Sequence, residues 1–232
     1  MSERRRVPKQ QRSRDRVDAI LAAANEIIIA AGLEELTIRE IARRTGIPSS
    51  TVYRYFKDRD EIAASFLDRE MEAMDLATAE AVLKLKRVSF RSLLAAGMFA
   101  HLEYHQAHPA IVPVWFSDSR SPLVSDRIKQ MDARTGAWLA EAVEKTGMVA
   151  EGAPDYQPDL FTRLGDRALE YILTNGFSIE SQNEQMGRYV DMVASYIERF
   201  LTERGIVGLP TTEFFAALGD RPSHLEISDP SG

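Results

Sequence analysis

The sequence predicts an all-helical (all-α) protein, with a small N-terminal three-helix head of the helix-turn-helix kind joined to a larger helical body. Three observations carry this. Residues 37–57, TIREIARRTGIPSSTVYRYFK, read as two short helices joined by a tight turn. Over most of the remaining chain, apolar residues recur at the three- and four-residue spacing of amphipathic helices. Lys and Arg gather in the first 60 residues, whereas Asp and Glu dominate the rest.

In the hairpin, Thr37 followed by Glu40 is a capping box that fixes the start of its first helix. Ile38, Ile41 and Ala42 form the apolar stripe, and Gly46 can take the left-handed conformation that ends it. Pro48 suits the first turn of the second helix, expected over Ser49–Phe56. There Val52 and Phe56 pack inward one turn apart, leaving Ser49, Ser50, Thr51, Tyr53, Arg54 and Tyr55 mostly outward. A helix with that surface, laid in a major groove, offers hydroxyls to bases and phosphates and a Tyr edge to thymine methyls.

The hairpin needs a third wall. Val17, Ile20, Leu21, Ala24, Ile27, Ile28 and Ala31 follow helical spacing from about Gln11, and Gly32 ends the run. After the hairpin, Asp58 with Glu61 opens a fourth helix carried on by Ile62, Phe66, Met74, Ala77 and Ala81, which links head to body. Residues 1–60 hold 13 Lys or Arg against 9 Asp or Glu, and the remaining 172 hold 16 against 26. A net −6 chain therefore has a head of +4 and a body of −10, as expected of a nucleic-acid module on an acidic body.

A long first helix followed by GLEELTIREIARRTGIPSSTVYRYFKDRDEI resembles the DNA-binding domain of the tetracycline-repressor (TetR) family over roughly residues 12 to 66. Gly46, the Val52–Phe56 segment and Lys57 match that family's pattern. The resemblance implies that Arg39, Ser49, Ser50 and Tyr53 face bases and that Thr37, Thr51, Tyr55 and Lys57 hold phosphates. Pro48 departs from the pattern, standing where the family often has a capping Ser or Thr, so Ser49 is expected to cap instead.

The body is read from periodicity. Ser89–His108 is a helix ended by Pro109, and it carries His101, His105 and His108 on one face with Leu94 and Met98. Three His on one helix face cannot all reach one ion, and no carboxylate joins them, so no metal is expected. Ala110–Phe116 is a short apolar piece, and Ser121-Pro122 opens a helix that runs to about Lys145. Met71, Met74, Met98, Met131, Trp115, Phe116 and Trp138 fill this middle region with large side chains. They are the candidate wall of a mostly apolar pocket, with His101 and His105 as its polar groups. Residues 151–159 are a loop, followed by helices over Asp159–Gly176 and Glu180–Arg204, the latter capped by Ser181 with Glu184. In that last helix Val190, Val193, Ile197 and Leu201 form one stripe and Tyr189, Met192, Tyr196 and Phe200 a second. The second is the candidate homodimer interface, completed by a symmetric copy of the last two helices. The tail after Gly205 contains a short helix, TTEFFAALG.

These elements divide the chain into a basic arm (1–11), a helix-turn-helix domain (12–57), a ligand-binding and dimerisation domain (58–204) and a tail (205–232). The absence of cysteine excludes disulfides and thiolate chemistry. No phosphate loop, nucleophile elbow or membrane span is present, so neither enzymatic activity nor a cofactor is expected and a cytoplasmic location is. The function expected is a homodimeric transcription regulator. It is read as a repressor released from a palindromic double-stranded DNA operator by a largely apolar small-molecule effector. The alternatives are an all-helical enzyme, marked by turnover without operator binding, and a ligandless DNA-binding dimer.

Overall fold

The computed structural model describes residues 9–118, 120–151 and 158–219. Arg4, Arg5 and Arg6, most of the loop expected over 151–159 and the end of the tail lie outside these. The described residues form eleven α-helices and divide into two compact units. Among the described residues the first takes those up to 70 with 109–127, the second 71–108 with those from 128 onward. This cut differs from that suggested by composition, because residues 109–127 join the first unit.

The first unit contains α1 (Lys9–Ala31), α2 (Ile38–Thr45), α3 (Ser49–Val52), the start of α4 (Arg59–Leu83), α6 (Ile111–Phe116) and the start of α7 (Pro122–Lys145). Its core is formed by the apolar stripes expected of it: Ile20, Leu21, Ala24, Ile27 and Ile28 from α1 and Ile38 and Ile41 from α2, with Val52, Phe56, Ile62 and Phe66 from the segments that follow. Burying each of the larger side chains stabilises by about 1.5–3 kcal/mol. Gly46 stops α2 at φ 69°, its amide donating to the Ala42 carbonyl at 3.0 Å. A side chain there would strain the backbone.

Two details of the hairpin differ from expectation. Pro48 itself occupies the cap position of α3, and Ser49 is the first helical residue, with no side-chain cap. The regular helix closes at Val52, after which Arg54 and Tyr55 bond three residues back and Phe56 four back. This tightened turn still delivers Phe56 to the core.

The second unit contains the rest of α4 and α7, with α5 (Phe90–Ala107), α8 (Pro158–Thr174), α9 (Ile179–Ile197), α10 (Glu203–Val207) and α11 (Thr211–Ala217). A reciprocal box opens α5, with Ser89 and Ser92 each accepting from the other's amide. α5 packs on both α8 and α9. Arg91 ties α5 to α9 through Asp191 at 2.5 Å and Glu198 at 2.8 Å. Strands β1 (Arg87–Val88) and β2 (Leu209–Pro210) pair antiparallel, a small departure from an all-helical chain. Gly208 permits it, since a Cβ there would stand 2.8 Å from the Ser89 amide nitrogen and its φ is +85°.

The expected Glu180–Arg204 helix is corrected at both ends. It begins one residue earlier, at Ile179, capped by Ser178, whose hydroxyl accepts from the Ser181 amide, rather than by Ser181 with Glu184. It ends at Ile197 because the chain turns away to pair with the segment after α7. Leu201 bridges Val149, the Ala150 amide donates to the Phe200 carbonyl, and the Thr202 amide donates to the Met148 carbonyl. Thr202 then caps α10. No helix among the described residues is long and apolar enough to cross a membrane.

Candidate nucleic-acid interface and ligand cavity

On the first unit, Thr37 caps α2 by accepting from the Glu40 amide at 3.1 Å. The Glu40 carboxylate does not close the box. It is gripped by Arg43 at 2.6 and 2.8 Å and by Arg44 at 2.9 Å, and these hydrogen bonds, Arg43's first, hold its carboxyl down to about 2. The acid of α2 is thereby neutralised beside the exposed hairpin face. On that face Thr37, Arg39, Ser49, Ser50, Tyr53, Arg54 and Lys57 are exposed, Tyr53 by 59%. Arg39, Arg54 and Lys57 enter no ion pair among the described residues. Thr51 and Tyr55 are half-buried. Tyr55 lies against α1, where Ser13 first and Arg16 second hold its phenol below the usual pKa. The Lys57 amide is held by the Glu61 carboxylate, and Asp58 caps α4 by accepting from the Glu61 amide, which anchors the exit from α3.

In the second unit, α4, α5, α7 and α8 enclose a cavity of about 130 Å³. A single water needs roughly 10–15 Å³ by this measure, so the space suits an organic molecule. Val82, Phe90, Leu93, Leu94, Leu139 and Leu169 provide most of the apolar wall. Of the residues expected from sequence, Met98, His101, Met131 and Trp138 line it. Met71, Met74, His105, Trp115 and Phe116 do not. Met71, Met74, His105 and Trp115 are buried in packed core, and Trp115 and Phe116 belong to the first unit. The sequence reading missed Thr78, Asp132, Thr135, Thr162, Gly165 and Asp166. Asp132, Thr135 and Leu139 were nonetheless discernible, because they continue at three- and four-residue spacing the face that carries Ile128, Met131 and Trp138.

The three histidines separate. His101 keeps surface open to the cavity and has no hydrogen-bond partner for its ring among the described residues. His105 is buried, its Nδ1 2.7 Å from the His101 carbonyl. His108 is exposed and stacked on Tyr104. Among the described residues no three His, Cys, Asp or Glu side chains are grouped to hold a metal. Burial, the first cause for each, pushes both His101 and His105 down to about 4, and for His101 the nearby charge of His105 adds to it. For His105 the bond to the His101 carbonyl opposes the shift and His108 adds to it. Both are neutral in the folded protein near neutral pH, whereas in the unfolded chain they take up protons near 6.5. Stability is therefore full above 6.5 and falls as pH drops through the window from 6.5 to 4. His105→Gln is expected to flatten that loss by up to ~3 kcal/mol, read from urea unfolding at several pH values. An unchanged pH slope would count against a neutral buried imidazole.

Residues 20–66 match the family described as bacterial regulatory proteins, tetR family. A putative TetR-family transcriptional regulator from Syntrophomonas wolfei superposes with TM-score 0.63 at 16% identity, over 79% of this chain and 96% of that one. The match to the tetR family thus covers the N-terminal residues that hold the hairpin. The fatty acid degradation regulator FadR of Bacillus halodurans also superposes, with TM-score 0.61 and 15% identity, covering 75% of this chain and 94% of that. The HTH-type transcriptional regulator BetI of Cronobacter sakazakii is 27% identical over 104 residues, which span 45% of this chain and half of that relative. The match to the TetR model lies wholly in the first unit and contains the hairpin, whereas the cavity lies in the second. In TetR terms, α2 and α3 are the helix-turn-helix.

Proposed function

We propose that this protein is a DNA-binding transcriptional regulator, a homodimeric repressor that leaves a palindromic operator when a small, largely apolar molecule fills its cavity. The observation that carries the reading is the hairpin face, on which Arg39, Ser49, Ser50, Tyr53 and Lys57 stand exposed while Val52 and Phe56 anchor the helix beneath them. Residues 12–57 serve as the DNA-binding domain and 58–204 as the ligand-binding and dimerisation domain. Arg12, Arg14 and Arg16 support the reading. They sit in the first turns of α1, where cations oppose the helix dipole, and that local cost is offset when the charges face phosphates.

A dimer must place its two recognition helices about 34–36 Å apart, or at a multiple of that spacing, to enter successive major grooves on one face. The ligand acts through its differential affinity for two states of the protein. α4 is the element suited to transmit it, since Thr78 and Val82 line the cavity and the same helix begins at Arg59 in the first unit. For the interface, α9 offers Met192 and Tyr196, and α8 offers Leu164 and Tyr171, all exposed.

Selection from random duplexes tests the reading, with a palindromic consensus the expected product and no enrichment the result against it. On the selected site, Tyr53→Ala is expected to cost about 1–3 kcal/mol and change sequence preference. Lys57→Ala should weaken all duplexes alike and lower the salt slope by about one. Equal loss on operator and random DNA for Tyr53→Ala would remove Tyr53 from base reading.

A further inference from the structure

Resting on the ligand-cavity reading above, we propose that the cavity selects an organic cation: a compact apolar body, preferably aromatic, carrying a protonated amine. Apart from His101, the ionisable side chains of the wall are acids. Asp132 from α7 and Asp166 from α8 both line it, and no Lys or Arg does so among the described residues. His101, the basic side chain of the lining, is kept neutral by its surroundings and offers a ring nitrogen as acceptor. Thr78, Thr135 and Thr162 add hydroxyls.

Asp166 makes its charge felt on the neighbouring Tyr189, whose phenol, raised first by burial and then by this carboxylate, is pushed up to about 12. A carboxylate or phosphate on a ligand would enter an apolar space facing two acids, losing its water without gaining a counter-charge. An ammonium meets the opposite situation. It gains carboxylate and hydroxyl acceptors, and Trp138 and Phe90 place aromatic rings, which attract cations, in the same wall. Gly97 and Gly165 add no side chain of their own to this wall.

Three probes with one apolar body separate the possibilities: phenylbutylamine, phenylbutanol and phenylbutyrate, each titrated into the intact protein near neutral pH by calorimetry and thermal melting. The amine is expected to bind at least about tenfold tighter than the acid, with the alcohol between. Asp132→Asn and Asp166→Asn should each erase much of the amine's advantage while leaving the alcohol's affinity nearly unchanged, and the alcohol's binding also shows that each variant is folded. If the acid binds as tightly as the amine, or the alcohol and acid bind and the amine does not, the inference is overturned and the cavity reading stands. If none of the three binds or raises the melting temperature, the inference and the cavity reading fall together.

Discussion

Replacing Met192 and Tyr196 with glutamate is expected to leave a folded monomer that no longer binds a palindromic operator specifically. Met192 is 63% exposed and Tyr196 53% on α9, and Leu164 is 42% and Tyr171 56% exposed on α8, which packs on α9. Large apolar side chains exposed on two packed helices point to an interaction site, and a symmetric copy covers them most simply. Two glutamates from each protomer would put four charges into such an interface without partners. The inner face of α9, with Val190, Val193 and Ile197, is untouched, so the subunit should still fold. Two of the residues assigned to this stripe from sequence are poor choices for the test. Tyr189 is buried toward Gly165, and Phe200 is half-buried, edge-on to Tyr196 at 5.9 Å. Loss of the linked second half-site should lower operator affinity by roughly 10²–10⁴. Light scattering and gel shifts on one preparation check both effects, and a monomeric unmodified protein would sink the interface.

Met98→Trp is expected to abolish the response to any cavity ligand while leaving operator affinity nearly intact. Met98 lines the cavity where α5 meets α8, its sulfur 3.2 Å from the point a Cβ on Gly165 would occupy. An indole has no room toward α8 and must fill part of the roughly 130 Å³ of open space. The recognition hairpin has its own core in the other unit. Were this region packed solid in solution, the same change would cost about 1–3 kcal/mol by overpacking. A melting temperature that drops sharply, in a protein that no compound stabilises, would favour that outcome. The two indoles report separately in the unmodified protein. Trp138 lines the cavity and Trp115 does not, so Trp138→Phe should remove ligand-dependent fluorescence and Trp115→Phe should retain it.

Much of the fold was legible because its rules are local. Thr37 caps, Gly46 stops, Pro109 ends α5 and Pro122 opens α7, each through backbone chemistry within one turn. The inward pair Val52 and Phe56 and the exposed residues above them followed from helical spacing alone. The same locality explains the half-formed box at Glu40, where two arginines three and four residues on outcompete a backbone amide for the carboxylate.

What the sequence by itself determined, then, is the helices, their buried stripes and the head with its hairpin, since propensity, capping and periodicity act over three or four residues. Only the tertiary structure decided where α9 ends, because residues 200–202 pair with 148–150, some fifty positions earlier. It also decided which large side chains face open space. Met98 and Trp138 border the cavity while Met74 and Trp115, equally apolar in sequence, are packed on all sides. A cavity is the volume left where four helices from distant parts of the chain fail to meet, and that distance between helices is not a property of any one of them.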